Sequence, residues 1–293
     1  MKEGFIVGLG EILWDCLPTG KKLGGAPANF AYHVSRLGLK GIVASAVGND
    51  ALGDEAISEL ESHAVPYCIA RVKEATGTVL VSLDKKGVPS YDIRQGVAWD
   101  NIRFSPKLKA LAAETAAVCF GSLAQRNNKS RKTIRKFLES VPSDCLKVFD
   151  INIRQDYYSL EIIEESLRMS DILKINNEEI SLLAKLAGIP GKSFDDMCRV
   201  IMYRYGLDMI ILTCGEAGSY IFRNGQKLFL ETPKVEVADT VGAGDAFTAA
   251  FVAALLLGKS IEEAHKTAVM LSAFVCTQKG AMPEIPEEYK RLL

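Results

Sequence analysis

Short apolar runs rich in β-branched residues recur along this chain and alternate with longer stretches of helical periodicity. Phe5-Ile6-Val7, Ile42-Val43-Ala44, Val148-Phe149-Asp150, Ile172-Leu173-Lys174 and Ile210-Ile211-Leu212 are the clearest of these runs. Parallel strands need crossovers, and a helix in each crossover covers the sheet, so the alternation predicts an α/β fold with a mainly parallel central sheet flanked by helices. At 293 residues and 48% hydrophobic content the chain can bury a full core, as one large domain or one domain with a small appendage. In such open sheets ligands sit beyond the carboxyl ends of the strands, which directs attention to the polar residues just after each run.

One stretch breaks the alternation. Between about Pro66 and Asp100, Val79 to Asp84 leads through Lys85-Lys86-Gly87 into Ser90 to Arg94 with no helical segment between. The reading is a hairpin that leaves the main sheet as a small β-sheet lid; an antiparallel edge of the same sheet is the alternative.

Charge and cysteine usage exclude several classes. Lys plus Arg number 35 against 36 Asp plus Glu, so no net field exists to hold nucleic acid or a membrane surface. Seven cysteines are scattered without CxxC spacing, which argues against a disulfide framework or a zinc site and fits a reducing, cytoplasmic setting. The N-terminus passes at once into a strand-like run without a signal-peptide pattern. The longest apolar stretch, Ala246 to Leu257, falls short of the roughly 18 residues that span a bilayer, so no membrane segment is expected.

The sharpest motif is Asp239-Thr240-Val241-Gly242-Ala243-Gly244-Asp245-Ala246-Phe247, a glycine-rich turn opening into that apolar helix. Gly242 and Gly244 allow a tight turn in which amide N–H groups at a helix N-terminus converge on an anion. Asp245 falls in the first helical turn, where the dipole is expected to keep its carboxylate ionised at neutral pH. A carboxylate beside a phosphate pocket is suited to take the proton of a hydroxyl that attacks a terminal phosphoryl group. Taken alone, the motif fits equally a helix-capping acid with glycines for close packing. Gly8-Leu9-Gly10 is not a dinucleotide fingerprint, since the third glycine position is Leu13. Gly20-Lys21 does not end a P-loop, since the first glycine position is Asp15 and Lys22 replaces the Ser/Thr.

Near the N-terminus, Gly10-Glu11-Ile12-Leu13-Trp14-Asp15 precedes Leu23-Gly24-Gly25-Ala26-Pro27-Ala28-Asn29. Asp15 and Asn29 offer acceptors and donors while Gly24 and Gly25 permit close backbone approach, a mixture suited to a polyhydroxylated molecule. A plainer reading has Pro27 at an early helix position and Asn29 facing solvent.

These two motifs resemble the N-terminal and C-terminal signatures of the ribokinase-like (PfkB) carbohydrate kinases. The resemblance extends to Val47-Gly48-Asn49-Asp50 with Gly53, Tyr91 to Asp100, Asp150-Ile151-Asn152-Ile153-Arg154, Asn176-Asn177-Glu178-Glu179 and Thr213-Cys214-Gly215-Glu216-Ala217-Gly218. It implies a three-layer sandwich in which residues 1–9, 24–65 and 101–293 form the large domain and residues 10–23 and 66–100 the lid. The GE-x-L-x-D pattern with the GGAPAN run is similar to fructokinases, which implies ATP-dependent phosphorylation of a small sugar such as fructose. Other ketoses, 2-keto-3-deoxygluconate, a nucleoside, or a sugar-binding sensor without catalysis are the alternatives. By the same resemblance Asp15, Gly25 and Asn29, with Gly24 and Asn152, would hold the sugar; Arg94 on the lid either reaches over the sugar or is an exposed charge on a lid edge. Asp245 would be the base beside an anion hole of Gly242, Ala243 and Gly244, with Arg154 near the phosphoryl group or the sugar. Asn176 and Glu179 match an element that helps hold Mg²⁺, often through water, though an N-cap with an acidic first turn reads identically. Thr213, Gly215 and Gly218 would line the nucleotide. Asp239 would anchor a monovalent cation such as K⁺, and the lid would pair with its mate in a homodimer. The Asp15 to Gly24 stretch is shorter than in many fructokinases, which makes the sugar less secure than the chemistry. His33, His63 and His265 share no spacing and read as structural or surface residues, and Trp14 and Trp99 fit packing as well as a place beside the sugar.

Overall fold

The computed structural model describes residues 4–17, 20–83, 89–191 and 193–293. Its strands are β1 (Phe5–Leu9), β2 (Leu13–Leu17), β3 (Gly20–Gly24), β4 (Gly41–Gly48), β5 (Tyr67–Val72), β6 (Gly77–Leu83), β7 (Pro89–Ile93), β8 (Thr115–Phe120), β9 (Leu146–Asp150), β10 (Ile172–Asn176), β11 (Met209–Thr213), β12 (Ser219–Arg223) and β13 (Gln226–Leu230). The helices are α1 (Ala26–Arg36), α2 (Ala51–Ser62), α3 (Pro106–Ala113), α4 (Asn128–Ser140), α5 (Leu160–Arg168), α6 (Asn177–Leu186), α7 (Phe194–Tyr205), α8 (Ala243–Leu256), α9 (Ile261–Cys276) and α10 (Glu287–Lys290).

The large sheet runs β13-β12-β11-β10-β9-β8-β1-β4-β5. It is parallel from β11 to β5, and only the β12 and β13 edge runs antiparallel. Helices α3 to α7 pack on one face and α1, α8 and α9 on the other, which gives the three layers. Val7, Val148, Leu173, Ile175 and Ile210 are fully buried, as expected of strands covered on both sides. Because β4 lies on one side of β1 and β8 on the other, the strand order reverses at β1, the kind of point at which open α/β sheets bind ligands.

Helix α8 is apolar all round, and each residue from Ala246 to Ala254 is buried between the sheet, α1 and α9. Its small alanines let those neighbours approach closely, which fixes where its N-terminus points.

A second sheet has the order β3-β2-β6-β7. Its strands β6 and β7 form the antiparallel pair expected from the hairpin pattern, while the proposed turn at Lys85-Lys86-Gly87 lies outside the described residues. The lid expectation needs one correction. Tyr67–Val72, assigned to the lid, is β5 and pairs with β4 in the large sheet. The reason lies in its burial: β5 is a half-exposed edge strand with one fully buried residue, Val72, so its composition matches that of a lid strand.

Candidate active site

The turn before α8 takes the conformation that its glycines allow. Gly242 is the N-cap with φ 80°, ψ −6°, a left-handed geometry, and a Cβ there would meet Cβ of Ala281 at 2.6 Å. No side chain caps this helix end. The N–H groups of its first turn therefore remain for an anion, apart from that of Ala243, which reaches Thr240 O at 3.3 Å. Asp239 shapes the turn from outside: Oδ1 accepts from the Val241 N–H at 3.1 Å and Oδ2 from the Gly280 N–H at 3.0 Å.

Asp245 sits in the first turn of α8, and its Oδ2 accepts a hydrogen bond from Asn29 Nδ2 at 2.8 Å. Asn29 is 4% exposed, so it does not face solvent; α1 turns it inward against the opposite signature motif. Its Oδ1 is buried and unpartnered among the described residues. The expectation that the helix dipole would hold Asp245 ionised is corrected. Burial, joined by the negative charge of Asp150, pushes the carboxyl up to about 7 against the opposing pull of Asn29, Lys174 and Arg154. Desolvation outweighs the helix terminus because the dipole contributes only part of a unit charge.

Helix α1 also braces the back of the turn. Tyr32 Oη donates to Pro283 O at 2.9 Å, and His33 Nε2 bonds Ala281 O at the same distance. His33 is fully buried, and burial lowers its imidazole to about 4, so the neutral ring donates through Nε2.

At the N-terminal motif, Asp15 lies in β2 opposite Lys22 of β3, and a Cβ on Gly24 would meet Asp15 Oδ2 at 2.6 Å. Burial raises the Asp15 carboxyl to about 6, opposed by the charge of Arg154. Gly25, with φ 109°, brings its backbone against the Glu11 carbonyl, and any side chain there would strike it. Glu11 is 2% exposed, and burial raises its carboxyl too. Arg154 follows β9, is exposed, and acts on Glu11, Asp15, Asp150 and Asp245 at once. Nearby Asn152 has φ 42°, a left-handed value at a non-glycine residue at the head of that loop.

Three expected groups of residues do not join this cluster through side-chain contacts. Arg94 is exposed just after β7, where its backbone N–H donates to Thr78 O at 3.2 Å and its carbonyl accepts from Arg126. Asn176 and Glu179 form a capping box on α6. Asn176 Oδ1 accepts from the N–H groups of Glu178 and Glu179, and the Glu179 oxygens accept from Asn176 N at 3.0 Å and Ile153 N at 2.9 Å. Thr213, Gly215 and Gly218 end β11 and begin the turn to β12, and Thr232 Oγ1 donates to Gly215 O at 2.7 Å. Trp14 and Trp99 are packing residues. Trp14 Nε1 donates to Leu52 O, and Trp99, 1% exposed, stacks under Arg126 at 4.0 Å.

Lys174 and Glu11 were missed by sequence reasoning. A lysine inside Ile-Leu-Lys-Ile, on a strand covered by helices on both faces, was the available signal, because a charge there is costly unless paired.

This chain belongs to the pfkB family of carbohydrate kinases, whose description matches residues 11–288. It is accordingly a phosphotransferase acting on a sugar hydroxyl. It is 31% identical over 299 residues to the uncharacterized sugar kinase PH1459 of Pyrococcus horikoshii, covering 95% of this chain and 92% of that protein. The crystal structure of PH1459 in complex with ATP superposes with a TM-score of 0.83 at 29% identity, covering 99% of this chain and 100% of that one. The chain is also 28% identical over 308 residues to the ATP-dependent 6-phosphofructokinase of Thermoanaerobacterium thermosaccharolyticum, covering 98% and 92% of the two chains. Against the fructokinase of Salmonella typhimurium it is 29% identical over 301 residues, with 95% of each covered.

Proposed function

We propose that this kinase transfers the γ-phosphoryl group of ATP to a primary hydroxyl of fructose or a closely related sugar, with Asp245 as the base. The observation that carries the reading is the buried Asp245 carboxyl, beside an uncapped helix N-terminus and hydrogen-bonded to Asn29 of the opposite motif. A base with a pKa of about 7 is matched to neutral pH. The amides of Gly242 and Gly244 would stabilise charge on the transferred group, that of Ala243 joining them only by leaving Thr240 O, and Arg154 would approach the same charge. Asp15, Gly24, Gly25, Asn29 and Asn152 would hold sugar hydroxyls, with Arg94 reaching over from the lid. ATP would extend from the turn along the ends of β10 and β11, past Asn176 and Thr213 to Gly215 and Gly218. The structurally similar PH1459 has been crystallised in complex with ATP, which supports ATP as the nucleotide.

Mg²⁺ finds no all-protein cage here. Among the described residues no group of three or more His, Cys, Asp or Glu side chains could hold a metal ion, and both Glu179 oxygens already accept backbone N–H groups. The ion would be carried by the phosphates of ATP, where it offsets their charge, and any link to Asn176 or Glu179 would pass through water. A K⁺ ion at Asp239 would sit beside the same turn, and a rate unchanged between potassium and a large organic cation would remove it. A homodimer through the lid is proposed from the second sheet, which β3 and β7 bound as open edges. No helix among the described residues is long and apolar enough to cross a membrane. A cytoplasmic place is proposed on the free thiols of its cysteines.

A phosphorylation assay over fructose, fructose 6-phosphate, other ketoses, 2-keto-3-deoxygluconate and nucleosides tests the substrate. Fructose is expected to give the highest kcat/KM; a much higher value for another compound would move the assignment to that compound. Sugar binding without ATP consumption would instead mark a sensor.

A further inference from the structure

Behind the anion turn lies an ion pair to which the proposed chemistry assigns no part. Lys174 stands between the fully buried Leu173 and Ile175 in β10 and is itself 8% exposed. Its Nζ lies 3.2 Å from Oδ1 of Asp150, at the end of neighbouring β9, and among the described residues this is its hydrogen-bond partner. A Cβ built on Gly244 would meet the same Nζ at 2.9 Å. One turn further along α8, Thr248 Oγ1 donates to Gly244 O at 3.0 Å and reaches Asp150 Oδ2 at 3.4 Å. Asp150, Asp245, Thr248 and Cys119 line one small cavity. A buried pair of this kind seldom stabilises a fold more than packed apolar side chains would. Its position directly under Gly244 and beside Asp245 calls for another explanation.

We propose that Lys174 and Asp150 are positioning residues that set the pH at which Asp245 becomes a base. The inference rests on the reading of Asp245 as the base. The two charges act in opposite senses: Asp150 opposes ionisation of Asp245 and Lys174 favours it. Burial alone would depress the Lys174 ammonium. Asp150, Glu179 and Asp245 together outweigh burial, so the residue remains a fixed positive charge. The other groups facing Asp245 are Asn29 from α1 and Arg154 from the loop after β9. Burial pushes the thiol of Cys119 in β8 well above its ordinary value, with Asp150, Asp245 and Glu11 adding to the rise and Lys174 opposing it. Glu179 of α6 acts on both Asp150 and Lys174.

The test is the pH profile of kcat/KM for the native enzyme, Lys174→Met, Asp150→Asn, the double variant and Asp245→Asn. Lys174→Met is expected to move the acidic limb up by about one pH unit and Asp150→Asn to move it down by about one, the scale of a neighbouring charge. The double variant is expected between them and faster at pH 7 than Lys174→Met. Limbs that stay fixed, or that move the same way in both single variants, would overturn the proposal. If Lys174→Met does not fold, Lys174→Arg must keep the native limb while Asp150→Asn still lowers it; any other pair of results overturns it. A near-native rate in Asp245→Asn removes the base and this inference together, whereas a large loss there with unmoved limbs removes the inference alone.

Discussion

Asn29 Nδ2 donates to Oδ2 of Asp245 at 2.8 Å across a sequence separation of 216 residues, and so ties the first signature motif to the second. The contact places α1 within one hydrogen bond of the proposed base, and the most direct tests begin from these two residues.

Asp245→Asn is expected to cut kcat by roughly 10²–10⁴-fold, the contribution of a positioned base, with a smaller change in sugar KM. Steady-state kinetics on a variant with a native unfolding profile checks it.

The same substitution is expected to stabilise the fold above neutral pH. The Asp245 carboxyl is about 7 when folded against an ordinary 3.8, so the native state holds this proton more tightly than the unfolded chain. Its contribution is fully present below pH 4 and is lost as pH rises through 7. Thermal unfolding should show the Asp245→Asn variant and the native protein alike below pH 4, with the variant melting higher by a growing margin up to about pH 7.

Asn29→Asp would set a second carboxylate against Asp245 and raise its pKa further. The rate at pH 7 is expected to fall by about tenfold or more and to recover in part near pH 9, because a like charge moves a close carboxylate by a unit or more. A pH-independent loss would count against the hydrogen bond seen here.

Asn176→Ala removes the acceptor of two α6 amides, and about 1 kcal/mol of stability should go with it. Urea unfolding measures the loss. The dependence of rate on Mg²⁺ concentration is expected to shift little, since these oxygens serve the helix end.

Much of this arrangement was legible in the sequence, for reasons that can be located. Ile210-Ile211-Leu212 and its counterparts mark strands because burial on both faces leaves no place for polar residues. Gly242 and Gly244 mark the turn because other residues resist its backbone geometry or crowd its neighbours. The inward aim of Asn29 was harder to read, since it depends on how α1 is rotated against α8. Tyr67–Val72 was misplaced because an edge strand and a lid strand share a half-exposed composition. The raised carboxyl of Asp245 was also hidden: it depends on Asp150 and on burial, both set by tertiary packing. The capping box at Asn176 and Glu179 satisfies the spacing of an ion site equally well, and only the bond partners tell the two apart.

Because α1 carries Asn29 on one face while Tyr32 and His33 grip the carbonyls of Pro283 and Ala281, the first turn of α8 and the segment behind it hang from a single stiff rod. Neither half can drift without dragging its counterpart. On the proposed reading, any relative travel between the reactants would then originate in the small sheet of β2, β3, β6 and β7.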